Sequence, residues 1–149
     1  MSTLDIQIHG PVARVYLNRP EVRNAFNDGV IAELTAAFAR LGQDPGLRAI
    51  VLGGHGKAFC AGADLNWMRA MAGYTWEQNR ADAQALADML WTLYRCPLPI
   101  VGRVHGDCYA GGMGYMRGMA IERLWRDARI LAIGGGATEV MLDEAAKRY

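Results

Sequence analysis

Two glycine-containing turns hold the residues best suited to chemistry in this chain. One runs Lys57-Ala58-Phe59-Cys60-Ala61-Gly62-Ala63-Asp64-Leu65, the other His105-Gly106-Asp107-Cys108-Tyr109-Ala110-Gly111-Gly112-Met113-Gly114. A reaction that develops negative charge on a carbonyl oxygen needs two preorganised N–H donors converging on that oxygen. Backbone amides in glycine-permitted turns supply them without reorganisation. A helix starting near Ala63 would add N-terminal amides that favour an anion near Asp64, and Arg23 can meet a phosphate. The bland alternative is a strand-to-helix turn in the first segment and close backbone packing in the second; two such turns at this spacing weigh against it.

The neighbouring polar and sulfur-bearing side chains admit plainer roles. His55 and His105 flank the turns, and a histidine beside a loop is more often a structural hydrogen-bonder than a base. Cys60 and Cys108 serve as small buried residues without thiol chemistry. Trp67, Met68, Met71 and Met113 could line an apolar pocket, though such residues more often fill a core.

The turns must be positioned by strands and helices that the patterning makes visible. Ile6 to His9 and Val12 to Leu17 are short β-branched runs around Gly10-Pro11, which reads as a hairpin. Asn27 or Asp28 can cap a helix whose Val30, Ile31, Leu34, Phe38 and Leu41 recur at three- and four-residue steps, ending at Gly42 and Asp44-Pro45-Gly46. Ala49 to Leu52 reads as a buried strand entering the Gly53-Gly54 loop. A long helix is expected from Trp76 to about Arg95, with Ala83, Leu86, Ala87, Leu90 and Leu93 inward and Glu77, Arg80, Asp82 and Asp88 outward. Cys96-Pro97-Leu98-Pro99 breaks it before a strand over Ile100 to Val104. Beyond Gly114, Ile121, Leu124 and Trp125 suit a helix, Gly134-Gly135-Gly136 interrupts, and Thr138 to Arg148 suits an amphipathic helix with Val140, Met141 and Ala145 inward. The fold class expected is α/β.

Bulk properties bound the function. With 149 residues, 52% of them hydrophobic, the chain can bury one ordinary core. A formal charge of +1, with both signs interspersed, gives no field for nucleic acid or anionic lipid, so neither nucleic acid nor a membrane is an expected partner. Cys60, Cys96 and Cys108 are odd in number and lack metal-type spacing, so neither a disulfide framework nor a metal site is expected. The N-terminus lacks a basic start and a continuous apolar run, and longer apolar stretches are broken by Arg, Asp or Gly. A soluble cytoplasmic protein is the expectation.

From the N-terminus to Gly114 the chain resembles the enoyl-CoA hydratase/isomerase (crotonase) superfamily. The two turns, the NRP…RNAFN segment at Asn18 to Asn27 and the ADLNWM run at Ala63 to Met68 stand in that family's order and spacing, and the last run is most similar to methylglutaconyl-CoA hydratase-like members. The resemblance implies a truncated spiral of ββα turns over residues 1–114 and a coenzyme A thioester as substrate. It places the catalytic oxyanion amides on Ala63 and Gly112. Arg23, Asn24 and Ala25 match the segment bordering the CoA pantetheine and phosphates, and Ala61, Asp64 and Leu65 the loop around the adenine. It also implies trimers or hexamers. Family hydratases use two glutamates; the first falls on Tyr115 here, and the second lies in a stretch with no counterpart. A polarised thioester without a placed acid/base loses most of the rate. Asp107 is a possible substitute.

From Gly111 onward the chain resembles the C-terminal end of acyl-CoA dehydrogenases, on the G-G-x-G-Y opening, the E-R-x-x-R-D-A-R core at Glu122 to Arg129 and the G-G-A-T-E-V element. The resemblance implies a helical tail over residues 115–149 and a flavin-side turn at Gly136, Ala137, Thr138 and Glu139, with Gly135 where some members carry their base. The flavin-holding β-domain has no counterpart, so FAD is not expected as a cofactor. Arg123, Arg126 and Arg129 read as a solvated helix face. The two matches are expected to abut at Gly111 to Gly114. Three readings follow: a crotonase-type enzyme of impaired activity, a noncatalytic acyl-CoA-binding or oligomerising fusion remnant, and a dehydrogenase fragment.

Overall fold

The computed structural model describes residues 2–109; expectations for Gly112, for Tyr115 and for the tail helices lie outside them. The described residues form a mixed α/β layer, as the patterning implies.

Strands β1 (Leu4–His9) and β2 (Val12–Leu17) make the hairpin, pairing from Leu4↔Leu17 to His9↔Val12 across a turn in which Gly10 has φ +56°. Helix α1 (Asp28–Leu41) is capped by Asn27, whose side chain accepts from the Val30 N–H at 3.0 Å. It returns the chain to β3 (Ala49–Gly54), parallel to β2, and β5 (Ile100–Gly102) extends the sheet on the far side, giving the order β1-β2-β3-β5. Two shorter strands, β4 (Ala58–Cys60) and β6 (Asp107–Cys108), pair as a second small sheet.

Alternation along β2 decides where the core lies. Ala13, Val15 and Leu17 point to the helical side, where they meet Ile50 and Leu52 of β3 and the buried face of α1: Val30, Ile31, Leu34, Ala37, Phe38 and Leu41. Burying a residue such as Phe38 or Leu34 contributes roughly 1.5–3 kcal/mol, so this two-layer seam anchors everything hung from it. Helix α3 (Trp76–Tyr94) begins with a Thr75/Gln78 capping box and packs across α1.

Several details depart from the sequence expectation. The fully buried residue of α3 is Met89, Ala87 is exposed, and Asp82 is half-buried rather than solvated. Leu86, Leu90 and Leu93 pack against the core as expected, and Met89 joins them as the most deeply buried residue of the helix. Strand β3 continues through Gly53 and Gly54, where loop was expected, since these residues pair with Tyr16 and Leu17. A side chain at Gly53 would meet the Tyr16 ring at 2.8 Å, so glycine is what lets the strand run beneath it. Strand β5 ends at Gly102, two residues early, although the Arg103 N–H still donates to Leu52 O at 2.8 Å. Among the described residues, no helix is long and apolar enough to cross a membrane.

Candidate functional site

The first glycine turn is built on the segment that follows β2. After Leu17 a single 3-10 turn, Pro20–Val22, delivers Arg23 and Asn24 in consecutive left-handed conformations, φ +53° and +56°. Asn tolerates that region better than most side chains, and here its amide gains three partners. Asn24 Nδ2 donates to His55 O and to Ala58 O, both at 2.9 Å, and its Oδ1 accepts from the Arg19 N–H at 2.9 Å. With 1% of its surface exposed, Asn24 holds the β3–β4 loop to the end of β2.

Beyond Asn24 the chain runs beside Ala61 to Asp64. The Ala61 N–H donates to Arg23 O at 2.9 Å, the Phe26 N–H to Gly62 O at 2.7 Å, and the Asp64 N–H to Phe26 O at 2.8 Å. Phe26 and Ala63 thus form a parallel bridge in which Phe26 takes both neighbours of Ala63. In that pattern the amide of Ala63 faces away from Phe26. No described residue accepts it, and Ala63 is exposed. Gly62, at φ +86°, provides the left-handed step this reversal requires.

Asp64 fixes the far end of the turn. Its Oδ1 accepts from the Asn66 N–H at 2.8 Å and the Trp67 N–H at 3.5 Å, capping α2 (Leu65–Met71), and its Oδ2 meets Arg19 Nη2 at 2.8 Å. Arg19 also donates to Ala25 O. The α2 amides expected to receive an anion are therefore occupied by the carboxylate of Asp64 itself. The hydrogen bond from Arg19 holds the Asp64 carboxyl below its ordinary 3.8, opposed by burial and assisted by the two backbone amides. A carboxylate lowered in the folded state stabilises the protein above its unfolded pKa and loses that contribution as pH falls through the folded one. Asp64→Asn is accordingly expected to lose about 2 kcal/mol at pH 7 and progressively less as the pH falls below 3.8, as read by urea denaturation across that range. A loss that does not shrink as the pH falls would remove the ion pair from the account.

The sequence candidates separate into two groups. Arg23, Ala63 and Leu65 are exposed on one surface of the turn, and Ala61 is half-buried. Asn24, Ala25 and Asp64 are buried, with the Asn24 and Asp64 side chains engaged inside the protein. Trp67 and Met71 are half-buried, and Met68 is 51% exposed. Asp107 lies exposed on β6. Each flanking histidine has a protein partner: His55 Nε2 lies 2.9 Å from Asp5 Oδ2, and His105 Nε2 lies 2.9 Å from Gly56 O. Sequence reasoning did not identify Arg19, whose pairing with Asp64 across α1 and β3 carries no local signature.

Over most of its length the chain is similar to known proteins. A family model described as enoyl-CoA hydratase/isomerase matches residues 7–121, and one described as acyl-CoA dehydrogenase, C-terminal domain, matches residues 108–149. The two overlap over 108–121 instead of abutting, because both motifs read the same glycine run. An inferred enoyl-CoA hydratase of Thermus thermophilus is 37% identical over 89% of this chain and 51% of its own length. The mitochondrial Delta(3,5)-Delta(2,4)-dienoyl-CoA isomerase of Mus musculus is 34% identical over 78% of this chain and 38% of its own. The crystal structure of an enoyl-CoA hydratase from Shewanella pealeana superposes with a TM-score of 0.73 at 35% identity, covering 76% of this chain and 43% of that one. The chain thus spans about half the length of the curated relatives it matches. On its turns, its mixed α/β layer and these matches, the chain belongs to the enoyl-CoA hydratase/isomerase family.

Proposed function

We propose that this chain binds an acyl-CoA thioester, with the Ala63 amide as one donor to the thioester oxygen and the Gly112 amide as the other, and that it turns over enoyl-CoA poorly. The observation that carries the reading is the Phe26–Ala63 bridge, which directs the Ala63 N–H outward with no partner among the described residues. Exposed Arg23, adjoining this turn through its bond from the Ala61 N–H, is the cation for a CoA phosphate. Asn24, Ala25 and Asp64 act here by fixing the loops, while Ala61 and Leu65 border the ligand. Tyr115 stands where family hydratases have their first glutamate, so that carboxylate is not there to move a proton on the polarised thioester.

Isothermal titration with an acyl-CoA, paired with an enoyl-CoA hydration assay, tests both halves. Branched enoyl thioesters of the methylglutaconyl type come first. Binding without turnover is expected; Arg23→Ala should weaken it about tenfold, and Asp107→Ala should leave it unchanged. A folded protein that binds no acyl-CoA removes the site, and hydration lost on Asp107→Ala would make that carboxylate the acid/base. Trimeric or hexameric assembly belongs to the same proposal and is read by light scattering. The match over residues 108–149 favours a second reading, a dehydrogenase-derived segment. A purified protein that is colourless and takes up no added FAD would count against that reading.

A further inference from the structure

On the face of the sheet turned away from α1, four strands bring a row of polar side chains together. Asp5 pairs with Tyr16, Tyr16 pairs with Gly53, and Arg103 follows β5 on the same side. Because Gly53 has no side chain, the Tyr16 ring lies across the strand. His55 stacks on that ring, centroids 4.9 Å apart and planes 27° from parallel. Arg103 Nη1 reaches the Tyr16 hydroxyl at 3.4 Å. Gln7, Tyr16, His55, Arg103 and His105, with Gly54 and Gly56, line an open cleft of about 340 Å³ whose lining does not include Ala63.

Among the described residues the lining is rich in donors and holds no carboxylate. Asp5, behind it, spends Oδ2 on His55 Nε2 and on Gln7 Nε2, at 2.9 and 2.8 Å. Arg103 has no carboxylate partner among the described residues, and its weak bond to Tyr16 leaves most of its five N–H groups and the Tyr16 hydroxyl proton available. A guanidinium and a phenol converging on a cleft of this size suit a tetrahedral or planar oxyanion.

We propose that this cleft is a binding site for a small oxyanion, a phosphate or carboxylate group, separate from the thioester turn. Arg103 supplies the charge, Tyr16 the directed hydroxyl, and the glycines of β3 the space.

Titration of the full chain with inorganic phosphate, followed calorimetrically and by the imidazole resonances of His55 and His105, tests it. Arg103→Ala is expected to weaken phosphate about tenfold or more and Tyr16→Phe, which keeps the ring stacked on His55, several-fold. Repeating the series with acetyl-CoA identifies the source. If Arg103→Ala leaves acetyl-CoA affinity intact, the oxyanion is free; if it weakens both ligands, the cleft receives a phosphate of the CoA. Absence of phosphate binding by the wild-type chain, or equal binding by folded Arg103→Ala, overturns the proposal and leaves the acyl-CoA reading standing.

Discussion

Asn24→Ala is expected to destabilise the protein by about 3–5 kcal/mol, visible as a lowered urea midpoint with an unchanged slope. The substitution strands His55 O and Ala58 O without their donor and the Arg19 N–H without its acceptor, in a place with 1% exposure. Each buried group left unpaired costs roughly 1–3 kcal/mol, and alanine also pays for φ +56°, which asparagine tolerates better. Asn24→Asp should fare little better, since a carboxylate offers two carbonyl oxygens no proton. Domains of this size are stable by about 5–15 kcal/mol, so a large share of the fold depends on one amide. Should the midpoint move by the equivalent of less than about 1 kcal/mol, water reaches these groups and the hub assignment fails.

Gly106→Ala is the second large effect. Gly106 sits at φ +58°, and a Cβ there would collide with the backbone carbonyl oxygen of Lys57, which has no flexible end to swing away. Its bridge to Ala58 starts the β4–β6 pairing, which continues to the Tyr109 N–H donating to Cys60 O at 2.9 Å. Either the pairing separates or both loops shift, at a cost of about 3 kcal/mol or more. Faster hydrogen exchange at Tyr109, with α1 still protected, is the expected signature, together with weaker acyl-CoA binding because β6 leads into the second glycine turn. An unchanged melting temperature and a protected Tyr109 amide would show that the backbone yields without loss.

The legible features were those written in local pattern. The hairpin, α1 with its Asn27 cap, the start of α3 at Trp76 and the α/β class all follow from periodicity and turn residues close in sequence. The first glycine turn was legible as a turn, since Gly62 occupies the left-handed region, as does Gly106 ahead of β6. The extension of β3 through Gly53-Gly54 was hidden, because glycine usually punctuates, and only the Tyr16 ring across the strand makes it continuous. The burial of Met89 in place of Ala87 was equally hidden, since both border the Leu86, Leu90 and Leu93 stripe and only the packing of α3 on α1 chooses between them.

By itself, then, the sequence determined the α/β class, the turn at Gly62 and the tyrosine at position 115, because residue type and short-range spacing set backbone freedom and available chemistry. Tertiary structure decided which candidate side chains stay free. Asn24 and Asp64 are engaged within the protein by partners across α1 and β3, Ala63 is left with an outward amide by the bridge to Phe26, and Arg103 is brought to Tyr16 by sheet register. Hydrogen-bond partners remote in sequence are chosen only when the layers pack, so availability for a ligand is a property of the assembled sheet and helices.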